Sequence, residues 1–297
     1  MNKIECQSCR SSIDEDSSFC KYCGVCVSHA NFHALNNERL NSIFQRVYRT
    51  LCKYSDYSEE EFEDKFEVYK NYEDRIMSDN DYYRAIVEII FYSGFKASTV
   101  DKYLERIHMH FPDYETVNNY CLEEIEKIKT DPQMIRNKSK ISACYKNAKK
   151  IAEIVDEFGS IEAYIDSFDP DSSDEALDRL KRSLEKNFSF LGGITSYHFM
   201  TDIGLNVLKP DRVILRIFNR LGLIEHEKDL IGSIKIGRAF SKATNLPIRF
   251  IDIIFVLYGQ LDQEKLECIC AEKNPKCEKC GVNSECLYFE EGALKPD

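Results

Sequence analysis

Thirteen cysteines, two well-placed carboxylates and a Gly-Gly turn are the residues of this 297-residue chain whose spacing could do chemistry. Cys6-x-x-Cys9 and Cys20-x-x-Cys23 form two knuckles around a polar loop, the arrangement in which four thiolates hold a structural zinc ion. Cys26, His29 and His33 follow closely and could substitute as ligands. Cys270, Cys277, Cys280 and Cys286 form a compact C-x6-C-x2-C-x5-C loop that suits a 4Fe–4S cluster or, alternatively, zinc. Cys268 lies outside that spacing. Glu88 stands among Ile86, Val87, Ile89 and Ile90. A carboxyl buried there would have a raised pKa and could serve as a proton donor, whereas one facing outward would be an ordinary surface charge. Asp211 follows Pro210 just ahead of an amphipathic run with Val213, Ile214, Ile217 and Phe218, which is how a helix begins. Read from the residues alone, the segment 188–220 is a pair of helices with a tight glycine turn at Gly192-Gly193 and a capping aspartate, or a site built on that frame.

The elements that must position these groups are helical. Leu35, Leu40, Ile43, Phe44, Val47 and Leu51 recur at helical spacing, as do Phe62, Phe66 and Tyr69 in the acidic stretch after them. Ser172 with Glu175 is expected to cap a helix that leads into the glycine turn. The fold class expected is all-α and two-lobed, in four parts. These are a zinc ribbon at 1–27, N-terminal helices at 28–81, a helical core at 82–208, and a lobe at 209–297 carrying the Asp211 helix and the cysteine loop. No apolar run reaches the roughly 20 residues of a membrane helix, and the N-terminus is no signal peptide, so a soluble cytoplasmic protein is expected. In that reducing setting the paired cysteines indicate metal rather than disulfides. The net charge of −11 argues against a polyanion partner, but Lys209, Arg212, Arg216, Arg220, Lys235, Arg238, Lys242 and Arg249 concentrate late in the chain. A local basic face matters more than the total.

Several of these segments resemble the helix-hairpin-helix DNA glycosylase superfamily, whose hairpin reads L-P-G-(I/V)-G and is followed by an aspartate with an arginine five residues on. Leu191, Gly193 and Ile194 match the hairpin, and Asp211 and Arg216 match the later pair, while Gly192 and Thr195 replace the proline and final glycine. Over 82–208 the chain is similar to bacterial 3-methyladenine DNA glycosylase I. Asp131, Ile135, Arg136, Lys140, Ile141, Ala143, Asn147 and Ala148 fall in that family's register, as do Ser93–Val100 and Phe188–Leu205. The C-terminal cysteine spacing resembles the 4Fe–4S loop of endonuclease III and the adenine-mismatch glycosylases. Three departures stand out: Ile89 where the methyladenine family has its pocket glutamate, Ala97 where it has tryptophan, and Asp211 where it has no aspartate. Glu88 matches instead the catalytic acid of the adenine-mismatch enzymes.

The resemblance implies a monofunctional DNA N-glycosylase of base excision repair, expected in a prokaryotic, nucleoid-associated setting and acting as a monomer on double-stranded DNA. It would excise a damaged or modified base, an alkylated purine such as 3-methyladenine being the class expected. The alternatives are a non-catalytic lesion-binding protein and a glycosylase for another modified or mismatched base. The implied roles are Asp211 and Glu88 as catalytic groups, and Gly192, Gly193, Thr195, Lys209 and Arg216 as DNA contacts. Glu88, Tyr92 and Tyr197 would line the base pocket. The cofactors implied are a 4Fe–4S cluster on Cys270, Cys277, Cys280 and Cys286, which stiffens a loop presenting Lys273, Lys276 and Lys279 to phosphate, and zinc on Cys6, Cys9, Cys20 and Cys23. The ribbon is also a possible protein-docking surface. Ser196-Tyr197-His198 stands where bifunctional members carry a lysine nucleophile, so no lyase activity is expected.

Overall fold

In the computed structural model, residues 3–5, 12–14, 36–72, 75–260 and 265–293 are described. Two short strands, β1 (Lys3–Glu5) and β2 (Ser12–Asp14), pair antiparallel with Ile4 opposite Ile13. The zinc-ligand candidates Cys6, Cys9, Cys20 and Cys23, with Cys26, His29 and His33, lie outside the described residues. All the other regular elements described are helices. Among the described residues no helix is long and apolar enough to cross a membrane.

The helices serve two hydrophobic cores. The first is built by α3 (Asp79–Tyr92), α4 (Ala97–Val100), α5 (Leu104–His110), α6 (Tyr114–Asn118), α7 (Leu122–Thr130), α8 (Lys138–Phe158), α9 (Ile161–Asp166), α10 (Asp174–Asn187) and α11 (Ile194–Asp202). Before them come α1 (Asn37–Lys53) and α2 (Glu59–Glu67). These pack away from that core, against α12 (Arg212–Arg220), α13 (Leu230–Thr244) and α14 (Ile248–Gly259), near the terminal α15 (Leu287–Ala293). Helices from early and late in the described chain thus close one lobe. Ile43, Phe44 and Val47 meet Ile214, Phe218, Phe240 and Phe255, with Phe218 edge-on to Phe255 at 5.2 Å between centroids.

Two buried polar residues of α8 set the course of the first lobe. Asn137 caps the helix and Gly159, at φ 90°, ends it. One turn in, the Lys140 ammonium is buried and donates to the carbonyls of Ile90 and Ser93, the latter at 2.6 Å, where α3 runs out of amide partners. Burial pulls its pKa below the usual lysine value. Two turns later, Asn147 exchanges two hydrogen bonds with the backbone of Ser189 (3.0 and 2.8 Å) and pins the segment that enters the glycine turn. α10 starts one residue later than the sequence suggested. Ser173 caps it, because Ser172 is used in the turn before, donating its hydroxyl to the Asp169 carbonyl at 2.7 Å.

α12 and α14 approach closely at Gly259. A side-chain carbon there would lie 2.8 Å from Val213 Cγ1 and 3.0 Å from Arg216 Nη2. Gly259→Ala is therefore expected to cost about 1–3 kcal/mol through overpacking, read as a lowered midpoint of thermal or denaturant unfolding.

Candidate functional site

The glycine turn is held from three sides. Phe190 (φ 68°) and Gly193 (φ 62°) both take left-handed backbone, which costs the non-glycine residue strain and leaves Gly192 and Gly193 exposed. Thr195 supplies the local lock, its hydroxyl accepting from the Gly192 amide at 2.9 Å and donating to the Phe190 carbonyl at 2.7 Å. The Gly193 amide, the donor at the start of α11, is engaged by the Glu185 carboxylate at 2.8 Å. Lys181 pairs with that carboxylate at 2.7 Å and lies over the Tyr197 ring, 5.4 Å from its centroid. Burial raises the Glu185 carboxyl, but Lys181 and the Gly193 amide outweigh it and hold it below the usual range.

Asp211 is the N-cap of α12, one position ahead of the helix rather than in its first turn. Its Oδ1 accepts from the amides of Val213 (2.8 Å) and Ile214 (3.1 Å). Oδ2 has no hydrogen-bond partner among the described residues. The backbone leading to it is tight: the Asp211 amide donates to the Lys209 carbonyl at 2.8 Å across the buried Pro210. The Lys209 amide in turn donates to Oδ1 of Asp252 at 3.0 Å.

Arg216, expected at DNA, is turned inward in this fold. It is 6% exposed, and its guanidinium donates to the carbonyls of Gly259 (2.6 Å) and Cys270 (3.1 Å), tying α12 to the cysteine loop. The reason is helical geometry. Five residues carry the chain about 500° round a helix, so Asp211 and Arg216 point roughly 140° apart. Arg220, one turn on, is also internal and donates to Cys270 Sγ (3.3 Å) and to the carbonyls of Ala271 (2.7 Å) and Glu272 (3.1 Å). Arg249 lies between two carboxylates and is largely covered, and Lys235 and Arg238 share Asp174. The late basic run is thus not one open face, and Arg212 and Lys242 are its members that are exposed without an ion pair.

Glu88 faces outward from α3 in part, with a side chain 35% exposed, and pairs with His108 Nε2 at 2.9 Å. The outward alternative describes it better than a buried acid. Tyr92 is one turn further along α3 and donates to Asp101 at 2.6 Å. Tyr197 belongs to a different surface, a small crevice lined by Asp174, Leu177, Asp178, Ile231 and Ile234. Of the residues expected to line one base pocket, Glu88 and Tyr92 are neighbours, while Tyr197 sits with Lys181 and the glycine turn.

Cys270, Cys277, Cys280 and Cys286 line one cavity with Arg220, Pro275 and Tyr288. Tyr258 donates to Cys280 Sγ at 3.1 Å, and the Arg220 guanidinium lies 4.2 Å from the Tyr288 ring centroid. Burial first, then the neighbouring thiols, pushes the Cys286 thiol up to about 11. Among the described residues no three Cys, His, Asp or Glu side chains converge on the position of a single metal ion. Of the three loop lysines, Lys276 and Lys279 both pair with Glu267 (2.9 and 2.7 Å), and Lys273 is exposed.

Residues 67–209 match the model of the family described as Methyladenine glycosylase. Among solved structures the chain is similar to the 8-oxoguanine DNA glycosylase of Thermotoga maritima. The likeness is 15% in identity, covers 76% of this chain and 99% of that one, and has a TM-score of 0.47. The glycine hairpin and its flanking helices fall in the matched span, and that match supports the helix-hairpin-helix DNA glycosylase superfamily for this part of the chain. The family match stops at Lys209, so Asp211 and the cysteine loop lie beyond it.

Arg216→Ala is expected to lower stability by about 2–3 kcal/mol, since two buried carbonyls lose a charged donor. It should leave the salt dependence of any duplex binding unchanged, because no phosphate contact is removed.

Proposed function

We propose that the protein is a monofunctional DNA N-glycosylase that flips a damaged base from the duplex and cleaves its N-glycosidic bond with water. An alkylated purine such as 3-methyladenine is the substrate class. The observation that carries this reading is Asp211, whose Oδ1 is spent on two backbone amides while Oδ2 is left to act. Breaking the bond builds positive charge on the sugar, and a fixed carboxylate oxygen stabilises that charge and orients the attacking water. A helix start that merely needed capping would be served as well by serine or threonine. The Gly192-Gly193 turn is exposed, and a phosphate that reached its amides would have to displace the Thr195 hydroxyl from Gly192 and the Glu185 carboxylate from Gly193. Glu88, partly exposed and paired with His108, is the proton donor proposed for a neutral leaving base. An extruded base costs a few kcal/mol of stacking, least where damage has already weakened it. Attack by an amine has no support at Tyr197, since the ammonium over its ring, that of Lys181, is neutralised by Glu185.

The cysteine loop fits a 4Fe–4S cluster better than a single zinc ion. Its four thiols line a cavity instead of meeting at a point, and two donors, Tyr258 and Arg220, aim at the sulfurs. Cys270, Cys277, Cys280 and Cys286 would hold it, releasing their protons as it loads. When bound, the cluster supplies structural rigidity to the loop that Arg216 and Arg220 grip. Zinc on Cys6, Cys9, Cys20 and Cys23 remains the proposal for the N-terminal knuckles, with a partner-docking role for that ribbon. The chain works as a monomer.

Two outcomes test this. Asp211→Asn keeps shape and removes charge, so duplex binding is expected to persist while base release falls by about 100-fold or more, with borohydride trapping no covalent complex in the wild type. Full activity in Asp211→Asn, or a trapped Schiff base, would overturn the assignment. Independently, as-purified protein is expected to be brown, absorbing broadly near ~400 nm, and to lose that colour but keep its zinc in Cys277→Ser. A colourless protein with zinc at the C-terminal cysteines would contradict the cluster.

A further inference from the structure

The chain keeps an aspartate in the most apolar helix of the second lobe. Asp252 stands in the run Phe250-Ile251-Asp252-Ile253-Ile254-Phe255 of α14 and is 1% exposed. Its Oδ2 takes the Arg249 guanidinium at 2.6 Å. The same guanidinium reaches Oδ1 of Asp202 on α11 at 3.1 Å, and Asp202 pairs with His198 at 3.0 Å. Tyr69 and Tyr72 close over Arg249, with ring centroids at 5.3 and 5.5 Å. Burial pushes the Asp252 carboxyl up, and Arg249 and the Lys209 amide pull against that rise. Apolar residues could replace such a buried ion pair at little cost in stability. They could not replace the one bond that Asp252 makes to main chain outside its own helix, from the Lys209 amide to Oδ1 at 3.0 Å.

We infer that Asp252 is a positioning residue for Asp211. It acts through two hydrogen bonds in series: Lys209 N–H to Asp252, and Asp211 N–H to the Lys209 carbonyl. The first anchors the Leu208–Pro210 strap to α14, and the second carries that anchor across the proline to the backbone of the acting carboxylate. Oδ1 of Asp211 is fixed from the other side by α12, so the free oxygen is held at both ends of its short segment. Arg249 keeps the Asp252 carboxylate turned toward the strap and, through Asp202 and His198, ties it to the helix that follows the glycine hairpin. Misplacing a reacting group by about 1 Å costs on the order of 100-fold in rate, which sets the size of effect to look for.

This inference rests on Asp211 being the acting group, and the test separates the two. Asp252→Asn retains an acceptor for the Lys209 amide. The double variant Arg249→Met with Asp252→Leu removes acceptor and ion pair together while keeping the space filled. Base release from a duplex carrying one 3-methyladenine is measured in single turnover at saturating enzyme, together with duplex Kd, unfolding midpoint and hydrogen exchange at the Lys209 amide. The double variant is expected to bind and to fold, to exchange the Lys209 amide at least about 10-fold faster, and to release base on the order of 100-fold more slowly. Asp252→Asn is expected to stay within about 3-fold of wild type in rate, less than half a decade. Wild-type release by the double variant while Asp211→Asn is inactive would overturn the positioning role alone, as would an Asp252→Asn as slow as the double variant. Release by Asp211→Asn at the wild-type rate would overturn the reading beneath it. In that case, or with no release at all, unchanged Lys209 exchange in the double variant would still refute the anchor.

Discussion

A carboxylate enclosed by apolar side chains is costly unless a cation and hydrogen bonds meet it, and where the two cores of this protein join, one such group, Asp252, shares a guanidinium with a second, partly exposed carboxylate. Arg249 lies between Asp252 of α14 and Asp202 of α11, and the strap that carries Asp211 hangs from the first of them. The joint therefore does more than tie lobes together. It fixes the direction from which the chain enters α12, and with it the place where a free carboxylate oxygen appears. His198, next to Tyr197 on the helix that follows the hairpin, is in the same network, so the element that would grip phosphate and the element that would do chemistry share one set of ion pairs.

α12 is the second scaffold. At its first residue Asp211 spends one oxygen on the helix, and along its inner face Arg216 and Arg220 reach into the cysteine loop. Those arginines satisfy loop carbonyls that have no sheet or helix of their own to bond to. Gly259 lets α14 come close enough for the arrangement to close. A cluster on the four thiols would thus brace the far side of the helix whose near end bears the acting carboxylate.

Much of this was legible in the sequence, and the failures have physical causes. Helical periodicity located the core faces, and Asp211 beside Pro210 marked the start of α12. Lys140 and Asn147 were visible as members of a pattern, but their work, capping α3 and pinning Ser189, depends on contacts some 40–50 positions away that no local rule carries. Arg216 was assigned to DNA by resemblance alone, and the helix turns it away from Asp211 and into the cysteine loop. The signal of an acid inside an apolar run was applied to Glu88, which turns out to face His108 and solvent in part. The same signal at Asp252, in a more continuous run, was the one that marked a buried carboxylate. Glu185 at the Gly193 amide had no signature at all, since its role comes only from the way α10 folds back on the hairpin.

The central claim is that this carboxylate, so held, releases a base from DNA by hydrolysis. It is tested most directly by incubating excess protein with duplexes that each carry one modified base and identifying the freed product by mass spectrometry. A free purine base, an alkylated one first among them, is expected from a strand that stays intact until alkali cleaves it at the resulting abasic site. Duplexes that are bound but yield no free base across the panel would contradict it.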